Sequence, residues 1–248
     1  MARAPSHLVQ RGAAGLWLAL PGFGAPHRFG TKTFLSNANR TIDGVPVVTA
    51  NQVHKDGILV VDATRRDWGT LQTEASAADA DALAAADAGG WIGVTTADCA
   101  PVLFHDPDGH AVAAVHAGWR GALMGIATTT LDCLTTRWGS RPDRLEVAIG
   151  PHIGVCCFEV GRAVLDLLET RFPGWQRWIE RCSVGRGFFN LRAFLRFQLE
   201  ERGVDVDRIH AVDLCTRCEA DLFSSYRREG RSPQGMLSAV RVPDTMSR

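Results

Sequence analysis

Residues 91–121 read WIGVTTADCAPVLFHDPDGHAVAAVHAGWRG, and this stretch decides the fold. Three apolar runs, at 91–95, 102–105 and 111–115, have the length and the apolar character of buried strands. Residues 121–137 then show helical periodicity, with apolar side chains recurring on one face. Short buried strands followed by an amphipathic helix predict a sheet that is covered by helices.

Outward from this stretch, strands and helices interleave without strict alternation. The segment 74–88 is predicted to be a loop or short helix, and 45–48 and 57–61 are predicted to form a strand pair with His54 in or near its turn. Further strands are predicted at 145–149, 209–212 and 236–242, and further helices at 163–172 and 190–202, the last between an N-cap at Asn190 and a stop at Gly203.

The chain shows no internal repeat, low-complexity tract or linker. We therefore predict a single compact domain over residues 1–248, of class α/β (α+β), with a mixed β-sheet flanked by helices. Residues 1–25 are expected to be a poorly ordered or edge segment.

Composition argues against several classes of protein. Lys plus Arg and Asp plus Glu number 27 each, whereas a nucleic-acid-binding surface needs a basic excess. No apolar run reaches the roughly 18 residues of a membrane-spanning helix. Seven cysteines without a framework spacing do not resemble a secreted disulfide scaffold, and residues 13–20 imitate a signal peptide only faintly. We predict a cytoplasmic protein that binds neither nucleic acid nor membrane.

Three metal-binding side chains stand near the ends of predicted strands. Cys99 follows Asp98 between two strands, His116 directly follows the buried run 111–115, and His54 lies in a predicted turn. Each alone is commonly structural, since a buried Cys packs as a small hydrophobe. One thiol and two imidazoles that meet at one point would suit zinc or copper and leave a coordination position open for chemistry.

Polar residues next to these ligands are candidate substrate contacts. Gln52 would share the face of an extended segment with His54 and could hydrogen-bond a substrate. Arg120 opens the predicted helix, where free N–H groups and a guanidinium favour a phosphate or carboxylate. The alternative for Arg120 is a salt bridge to Asp98 or Asp106.

The other cysteines give a weaker signal. Cys215 and Cys218 have the spacing of a redox or zinc motif, but no second ligand pair stands near them in the sequence. Cys156 and Cys157 are interpreted as packing residues close to a tight turn.

The motifs, taken in order, resemble a known family. They are Gln52-Val53-His54, Thr96-Ala97-Asp98-Cys99, His116-Ala117-Gly118-Trp119-Arg120-Gly121, Cys156-Cys157-Phe158-Glu159-Val160-Gly161 and Phe223-Ser224-Ser225-Tyr226-Arg227-Arg228. Over residues 27–242 the chain is similar to the multicopper polyphenol oxidase (laccase-like) family, now regarded as purine nucleoside phosphorylases.

The resemblance implies a zinc-dependent enzyme that phosphorolyses adenosine, inosine, guanosine and methylthioadenosine and deaminates adenosine in the same site. His54, Cys99 and His116 would bind the metal, which is usually zinc, with copper as the other candidate. The implied partners are a purine nucleoside and phosphate, and the protein would be a monomer or homodimer. As hypotheses, Asp98 shuttles the proton in deamination, and Arg120 holds the phosphate with help from Lys32.

The chain departs from the family pattern at two places. Lys32 stands where an Arg is usual, and Gln234-Gly235-Met236 stands in place of Gly-Arg-Met, so that another Arg is missing. A lysine holds phosphate without bidentate geometry, so the residues that bind phosphate stay an open question. Two other enzymes stay open as well: a metal-free hydrolase or amidase, for example in peptidoglycan-precursor editing, with Cys99 as nucleophile and His116 as base, and a laccase-like copper oxidase, which would need more His ligands. A non-catalytic metal-binding module is the remaining alternative.

Overall fold

The structure is a computed structural model that describes residues 8–34, 41–62, 67–86, 89–230 and 234–244. The strands in these ranges are β1 (Val9–Gly12), β2 (Gly15–Leu18), β3 (His27–Gly30), β4 (Thr41–Ile42), β5 (Val45–Val48), β6 (Ile58–Val60), β7 (Ala82–Ala86), β8 (Trp91–Thr96), β9 (Ala100–His105), β10 (Ala111–Ala117), β11 (Glu146–Ile149), β12 (Glu159–Gly161), β13 (Ile179–Ser183), β14 (Arg186–Phe189), β15 (Ile209–Ala211) and β16 (Met236–Arg241).

The helices are α1 (Trp68–Ser76), α2 (Trp119–Met124), α3 (Ile126–Trp138), α4 (Arg162–Arg171), α5 (Leu191–Glu200) and α6 (Tyr226–Glu229), with short 3₁₀ turns at Trp175–Trp178 and Val206–Arg208. The predicted N-cap of α5 is confirmed, because the Asn190 side chain accepts a hydrogen bond from the Ala193 amide. None of the helices in the described ranges has the length and apolar character that crossing a membrane would require.

The strands form two large sheets and one small one. A seven-stranded sheet has the order β1-β2-β3-β16-β8-β5-β4, a six-stranded sheet has the order β15-β11-β9-β10-β7-β6, and β12, β14 and β13 form the third. Both large sheets are mixed, since β5 runs parallel to β8 and β6 runs parallel to β7 among antiparallel neighbours. The predicted mixed α/β fold is confirmed, with its strands divided between two large sheets and one small sheet.

Strand β10 shows how the layers are stacked. Its residues are all buried, and they alternate between two cores. Ala113 and Val115 belong to the core beneath the helices, whereas Val112 and Ala114 belong to the core between the two large sheets. The six-stranded sheet is therefore the middle layer, which explains why β10 reads as an unbroken apolar run.

The predicted strand pair at 45–48 and 57–61 is wrong. β5 pairs with β8 in the seven-stranded sheet, and β6 pairs with β7 in the six-stranded sheet. The intervening segment crosses from one sheet to the other, so His54 lies in a connection between layers rather than in a hairpin turn. Local strand propensity cannot distinguish these two arrangements, because pairing is decided by the rest of each sheet.

The prediction for 74–88 is wrong for its second half. Residues Ala82–Ala86 form β7, a wholly buried strand next to β10. Alanine is a poor strand former by itself, but it fits where a sheet is packed closely on both faces. The propensity of the segment was overridden by its tertiary environment.

The predicted helix over 121–137 begins earlier and is broken. Helix α2 ends at Gly125, whose φ of 92° is left-handed, and α3 starts immediately after it. Glycine adopts this conformation without steric cost, so the chain changes direction there while the apolar face continues. The helix that follows His116 is consequently only six residues long.

Candidate active site

The sheet register brings Cys99 and His116 together. Ala117 of β10 pairs with Ala100 of β9, and Cys99 directly precedes Ala100. The link from β8 to β9 carries the chain from the seven-stranded sheet to the six-stranded sheet. Asp98 lies in this link and has a φ of 90°. Positive φ is uncommon outside glycine and frequently marks a functional position.

His54 is held beside His116 by a buried carboxylate that the sequence analysis missed. Asp81 precedes β7 and is fully buried. Its two oxygens accept hydrogen bonds from the backbone amides of Val53, His54 and Lys55 at 2.7–3.2 Å. Its Oδ1 also lies 2.7 Å from Nδ1 of His116. One carboxylate therefore fixes both imidazole-bearing segments.

The three predicted ligands converge. One ligand atom from each of His54, Cys99 and His116 lies within 4.8 Å of the other two. The two imidazole rings stand edge to face, with their centroids 4.7 Å apart. Because Nδ1 of His116 is engaged by Asp81, its Nε2 is the nitrogen left for a metal, as in the carboxylate–histidine–metal arrangement of many zinc proteins.

A metal ion fits this arrangement. Two imidazoles and one thiolate are ligands that zinc accepts, and three protein ligands leave a coordination position for chemistry. The space in front of the sulfur is kept open by Gly118, since a Cβ at this position would lie 2.9 Å from Sγ of Cys99 and 3.5 Å from the His54 ring. Any larger residue at 118 would fill this space in front of the Cys99 sulfur, which we call the cradle.

Without a metal, the hydrogen bonds within the site favour a thiolate at Cys99 beside a protonated His116. Burial would raise the pKa of the Cys99 thiol, but hydrogen bonds to His116 and His54 outweigh burial and lower it to about 7. Burial would lower the pKa of His116, but its hydrogen bonds to Asp81 and Cys99 raise it to about 9. Burial likewise opposes ionisation of Asp81, yet the hydrogen bonds from His116 and the neighbouring amides bring its pKa below the usual value. A cation would be attracted by the Cys99 thiolate and, through His116, by the Asp81 carboxylate, but His116 must release its proton before its Nε2 can bind a metal.

Asp98 is buried, and both of its oxygens accept hydrogen bonds from the protein. Oδ1 accepts from the Thr216 hydroxyl at 2.5 Å. Oδ2 accepts from the Ser225 hydroxyl at 3.0 Å and from the Arg227 amide at 2.7 Å. These bonds tie the β8–β9 link to two C-terminal segments. The arrangement suits a positioning residue better than the proton shuttle predicted from the sequence.

The predicted substrate contacts differ in their surroundings. Gln52 lines the cavity, and its amide bonds both the N–H and the C=O of Thr95 at 2.7 Å, which clamps the His54 segment to β8. Arg120 also lines the cavity and stacks on the Trp119 ring at 4.4 Å. Within the described ranges, Arg120 forms no ion pair with Asp98 or Asp106.

Lys32 is not brought to the site. Its ammonium donates to the Ala220 carbonyl at 2.9 Å, and it does not line the cavity that contains the three ligands. The position of Lys32 depends on its contacts with Ala220 and Leu222, which are distant in sequence and which no local pattern predicts. A cation that does line the cavity is Arg227, whose guanidinium lies 5.7 Å from the centre of the Phe158 ring.

The ligands face a cavity of about 600 Å³. Its walls combine polar groups at the ends of the central strands with aromatic, aliphatic and cationic side chains: Trp119, Arg120, Ile153, Phe158, Leu191, Tyr226 and Arg227. A cavity of this size accommodates a small molecule. Phe158 and Arg227 are distant from the three ligands in the sequence, and folding places both at the cavity.

The chain matches the model of one protein family. The family described as multi-copper polyphenol oxidoreductase laccase matches over residues 33–242. That range includes all three proposed ligands and the segments that line the cavity.

Named relatives carry two activities. A purine nucleoside phosphorylase, YlmD of Geobacillus stearothermophilus, is 34% identical over 195 residues, which are 78% of this chain and 71% of the relative. An adenosine deaminase, RL5, of an unknown prokaryotic organism is 34% identical over 190 residues, 76% of this chain and 72% of the relative. The crystal structure of YlmD from Geobacillus stearothermophilus superposes with a TM-score of 0.83 at 31% identity, covering 96% of this chain and 99% of that chain.

Proposed function

Because the chain belongs to the multi-copper polyphenol oxidoreductase laccase family, we propose that it is a zinc-dependent purine nucleoside phosphorylase that also deaminates adenosine in the same site. The observation that carries this proposal is the convergence of His54, Cys99 and His116 within 4.8 Å at the wall of an open cavity of about 600 Å³. The activities named for YlmD and RL5 support it.

The ligand set favours zinc over a copper oxidase centre. His54, Cys99 and His116 would hold the ion, which when bound supplies the Lewis-acid chemistry that activates water at neutral pH. In the described ranges, the two clusters able to hold a metal contain only two histidines between them. A multicopper oxidase needs more imidazoles than that, so the oxidase suggested by the family description is not proposed.

Phosphate is assigned to Arg120 and Arg227 at the cavity wall. In phosphorolysis, a phosphate oxygen bonds to C1′ of the ribose while the C1′–N9 bond breaks and the base leaves with the bonding electrons. Arg120 and Arg227 both line the cavity and can hold a dianion by charge-assisted hydrogen bonds. The ribose develops oxocarbenium-like positive charge in such a step, so a firmly held anion beside it lowers the barrier.

The purine is assigned to the aromatic and aliphatic side chains of the cavity wall. Trp119, Phe158 and Tyr226 line the cavity together with Ile153 and Leu191, and these side chains offer flat apolar surface to a base. Adenosine, inosine, guanosine and methylthioadenosine share the purine ring and differ at positions that a mainly apolar wall discriminates weakly. We therefore expect all four to be substrates.

The direct test is a product assay. The purified protein is incubated with each nucleoside, with and without phosphate, and the products are separated by chromatography. We expect free base and ribose 1-phosphate (5-methylthioribose 1-phosphate from methylthioadenosine) only when phosphate is present, and inosine from adenosine in its absence. The Cys99→Ala variant should lose both reactions, whereas the matched variant Cys182→Ser, at an exposed cysteine outside the site, should retain them. Full turnover by Cys99→Ala would contradict the assignment.

A second candidate, a thiol-dependent amidase, is favoured by the paired Cys99 and His116. A thiolate next to an imidazolium is the arrangement of many cysteine hydrolases. This alternative needs no metal. Removal of zinc by a chelator, followed by exchange into chelator-free buffer, separates the two functions: the phosphorylase loses activity and regains it with added zinc, whereas a thiol amidase keeps its activity and is inactivated by alkylation of the metal-free protein.

A further inference from the structure

Folding brings together four cysteines that the sequence analysis treated separately. One sulfur each from Cys156, Cys157, Cys215 and Cys218 lies within 4.8 Å of the other three. Cys157 packs against the core beneath the helices, as interpreted from the sequence, whereas Cys156 is exposed. Together they lie where a second ligand pair for the Cys215–Cys218 motif would stand. We propose that these four thiolates bind a second, structural zinc ion, separate from the ion at His54, Cys99 and His116.

The spacing of the sulfurs is that of a shared ion. In a tetrahedral site with Zn–S bonds of about 2.3 Å, neighbouring sulfurs are about 3.8 Å apart. The sulfur of Cys218 lies 3.7 Å from that of Cys156 and 3.4 Å from that of Cys157. A disulfide would bring Cys218 to a single partner at about 2.0 Å. Two near-equal neighbours around one sulfur instead fit a set of four ligands.

The backbone is shaped to present these sulfurs. The amides of Cys218 and Glu219 both donate to the Cys215 carbonyl, at 3.1 and 3.0 Å, which folds the Cys-x-x-Cys segment into a tight turn. On the other segment, the Cys157 amide donates to the Gly154 carbonyl at 2.9 Å. The two turns are joined where the Thr216 amide donates to the carbonyl of His152 at 3.0 Å.

Gly154 permits the close approach of the two turns. A Cβ at this position would lie 3.2 Å from Cβ of Cys215 and 3.3 Å from Sγ of Cys156. The Gly154 amide also donates to the sulfur of Cys215 at 3.2 Å. An N–H group directed at a sulfur stabilises a thiolate, and outer hydrogen bonds of this kind orient metal ligands.

Two arginines contact the segments that carry the four cysteines. Four thiolates and one Zn²⁺ carry a net charge of −2, which needs nearby donors or cations. Arg217 hydrogen-bonds the sulfur of Cys157. Arg181 donates to the carbonyls of Val155 and Cys156 at 3.1 Å, and so fixes the turn that bears two of the ligands.

The second ion would stabilise one wall of the active-site cavity. Thr216 lies between Cys215 and Cys218, and its hydroxyl is a hydrogen-bond donor to Asp98. Phe158 follows Cys157 directly and lines the cavity. Binding of zinc to the four sulfurs would therefore fix the positions of Thr216 and Phe158 relative to each other.

The experiment counts metal ions per chain. The full chain is expressed with zinc, and bound zinc is measured by elemental analysis and by native mass spectrometry for three variants. We expect Cys215→Ser/Cys218→Ser to carry one zinc fewer than the wild type, and the matched Cys182→Ser control to carry the wild-type number. Cys99→Ala should keep the ion of the four-cysteine site, so this readout is independent of the proposed function. Equal zinc in the double variant and the wild type would overturn the proposal.

Cobalt substitution provides a test that does not depend on the folding of the double variant. In the metal-free Cys99→Ala protein, added Co²⁺ should produce the intense visible and charge-transfer bands of a tetrahedral tetrathiolate. Absence of these bands would overturn the proposal. A wild-type protein whose intact mass shows a disulfide, with two fewer titratable thiols and no metal, would overturn it in favour of a Cys218 disulfide.

Discussion

Asp81 is the residue on which two of the three proposed metal ligands depend. Its carboxylate bonds the imidazole of His116 and three consecutive amides of the His54 segment. It therefore orients the side chain of one ligand and the backbone of the other. Outer carboxylates of this type commonly change metal affinity by about 10–100-fold when they are mutated.

We expect Asp81→Asn to lower zinc affinity at the His54, Cys99 and His116 site by about 10–100-fold, because the amide presents one acceptor oxygen in place of two and a weaker partner for His116. Competition with a fluorescent chelator measures the affinity, and circular dichroism checks that the variant is folded. Asp79→Asn is the control, since Asp79 is exposed and accepts a bond from Asn51 in the same region. Equal affinities for the two variants would contradict the assigned role.

Gly118→Ala tests whether the cradle in front of the sulfur is needed. The φ of −73° at Gly118 is allowed for alanine, so the backbone is not strained. The added methyl would lie 2.9 Å from Sγ of Cys99. We expect a loss of at least tenfold in kcat/KM for inosine, about 1.4 kcal/mol, with little change in thermal stability.

The matched control for Gly118→Ala is Gly161→Ala. Gly161 also precedes a helix with a negative φ, and its nearest contact for a Cβ is 3.9 Å away. Gly161→Ala should leave kcat/KM unchanged. If both variants lose activity equally, the effect of Gly118→Ala reflects the helix start and not the cradle.

At the scale of single elements, the bounds of strands and helices predicted from the sequence are accurate where burial and local pattern agree. Strands β8, β9, β10 and β11 and helices α4 and α5 were found close to their bounds. β7 was missed because alanine has low strand propensity, and the break at Gly125 was missed because apolar periodicity continues across it. Both errors arise where the tertiary environment outweighs a local preference.

The start of β3 contains a histidine that must stay neutral. His27 is buried, and its Nδ1 lies 2.8 Å from the Ala25 carbonyl while its Nε2 accepts from the Leu20 amide at 2.8 Å. Protonation of Nε2 would set two N–H groups against each other. Burial, the largest effect, lowers the pKa of His27 below 6.5, and repulsion from His210 and His105 lowers it further.

This histidine predicts a pH dependence of stability. The folded chain holds His27 neutral, while the unfolded chain takes up a proton near pH 6.5. Its contribution is therefore fully present above pH 6.5 and is lost as the pH falls toward the lowered folded pKa. Urea unfolding above and below this pH should show a larger loss of stability for the wild type than for His27→Gln.

The control for this measurement is His110→Asn, because asparagine tolerates the φ of 53° at that position. It should lose stability with acid as the wild type does. An identical pH profile for His27→Gln and the wild type would show that His27 does not contribute.

At the scale of the whole molecule, Asp98 joins parts of the chain that are far apart in sequence. It lies on the link between the two large sheets and accepts hydrogen bonds from Thr216, Ser225 and Arg227. Asp98→Asn should keep the backbone, since asparagine also adopts positive φ. It should destabilise the fold by about 1–3 kcal/mol, because an amide NH2 group replaces one carboxylate oxygen. The oxygen that is replaced accepts either from Thr216 or from both Ser225 and Arg227.

Chemical unfolding measures this change, and Asp43→Asn is the control. Asp43 also has a positive φ, of 53°, and its exposed carboxylate pairs with Arg28. Exposed ion pairs contribute at most about 1 kcal/mol, so the control should be close to the wild type. A smaller effect at Asp98 than at Asp43 would contradict the proposed cross-linking role.

The sequence by itself determined the mixed α/β class, the buried central strands and the three residues that folding brings within reach of one ion. These follow from local properties: apolar runs, helical periodicity, and ligand side chains beside strand ends. Only the tertiary structure decided the partition into two sheets, the role of Asp81, the absence of Lys32 from the cavity walls and the meeting of Cys156 and Cys157 with Cys215 and Cys218. Each of these depends on contacts between segments distant in sequence, and such contacts are set by how whole layers pack, which no local pattern encodes.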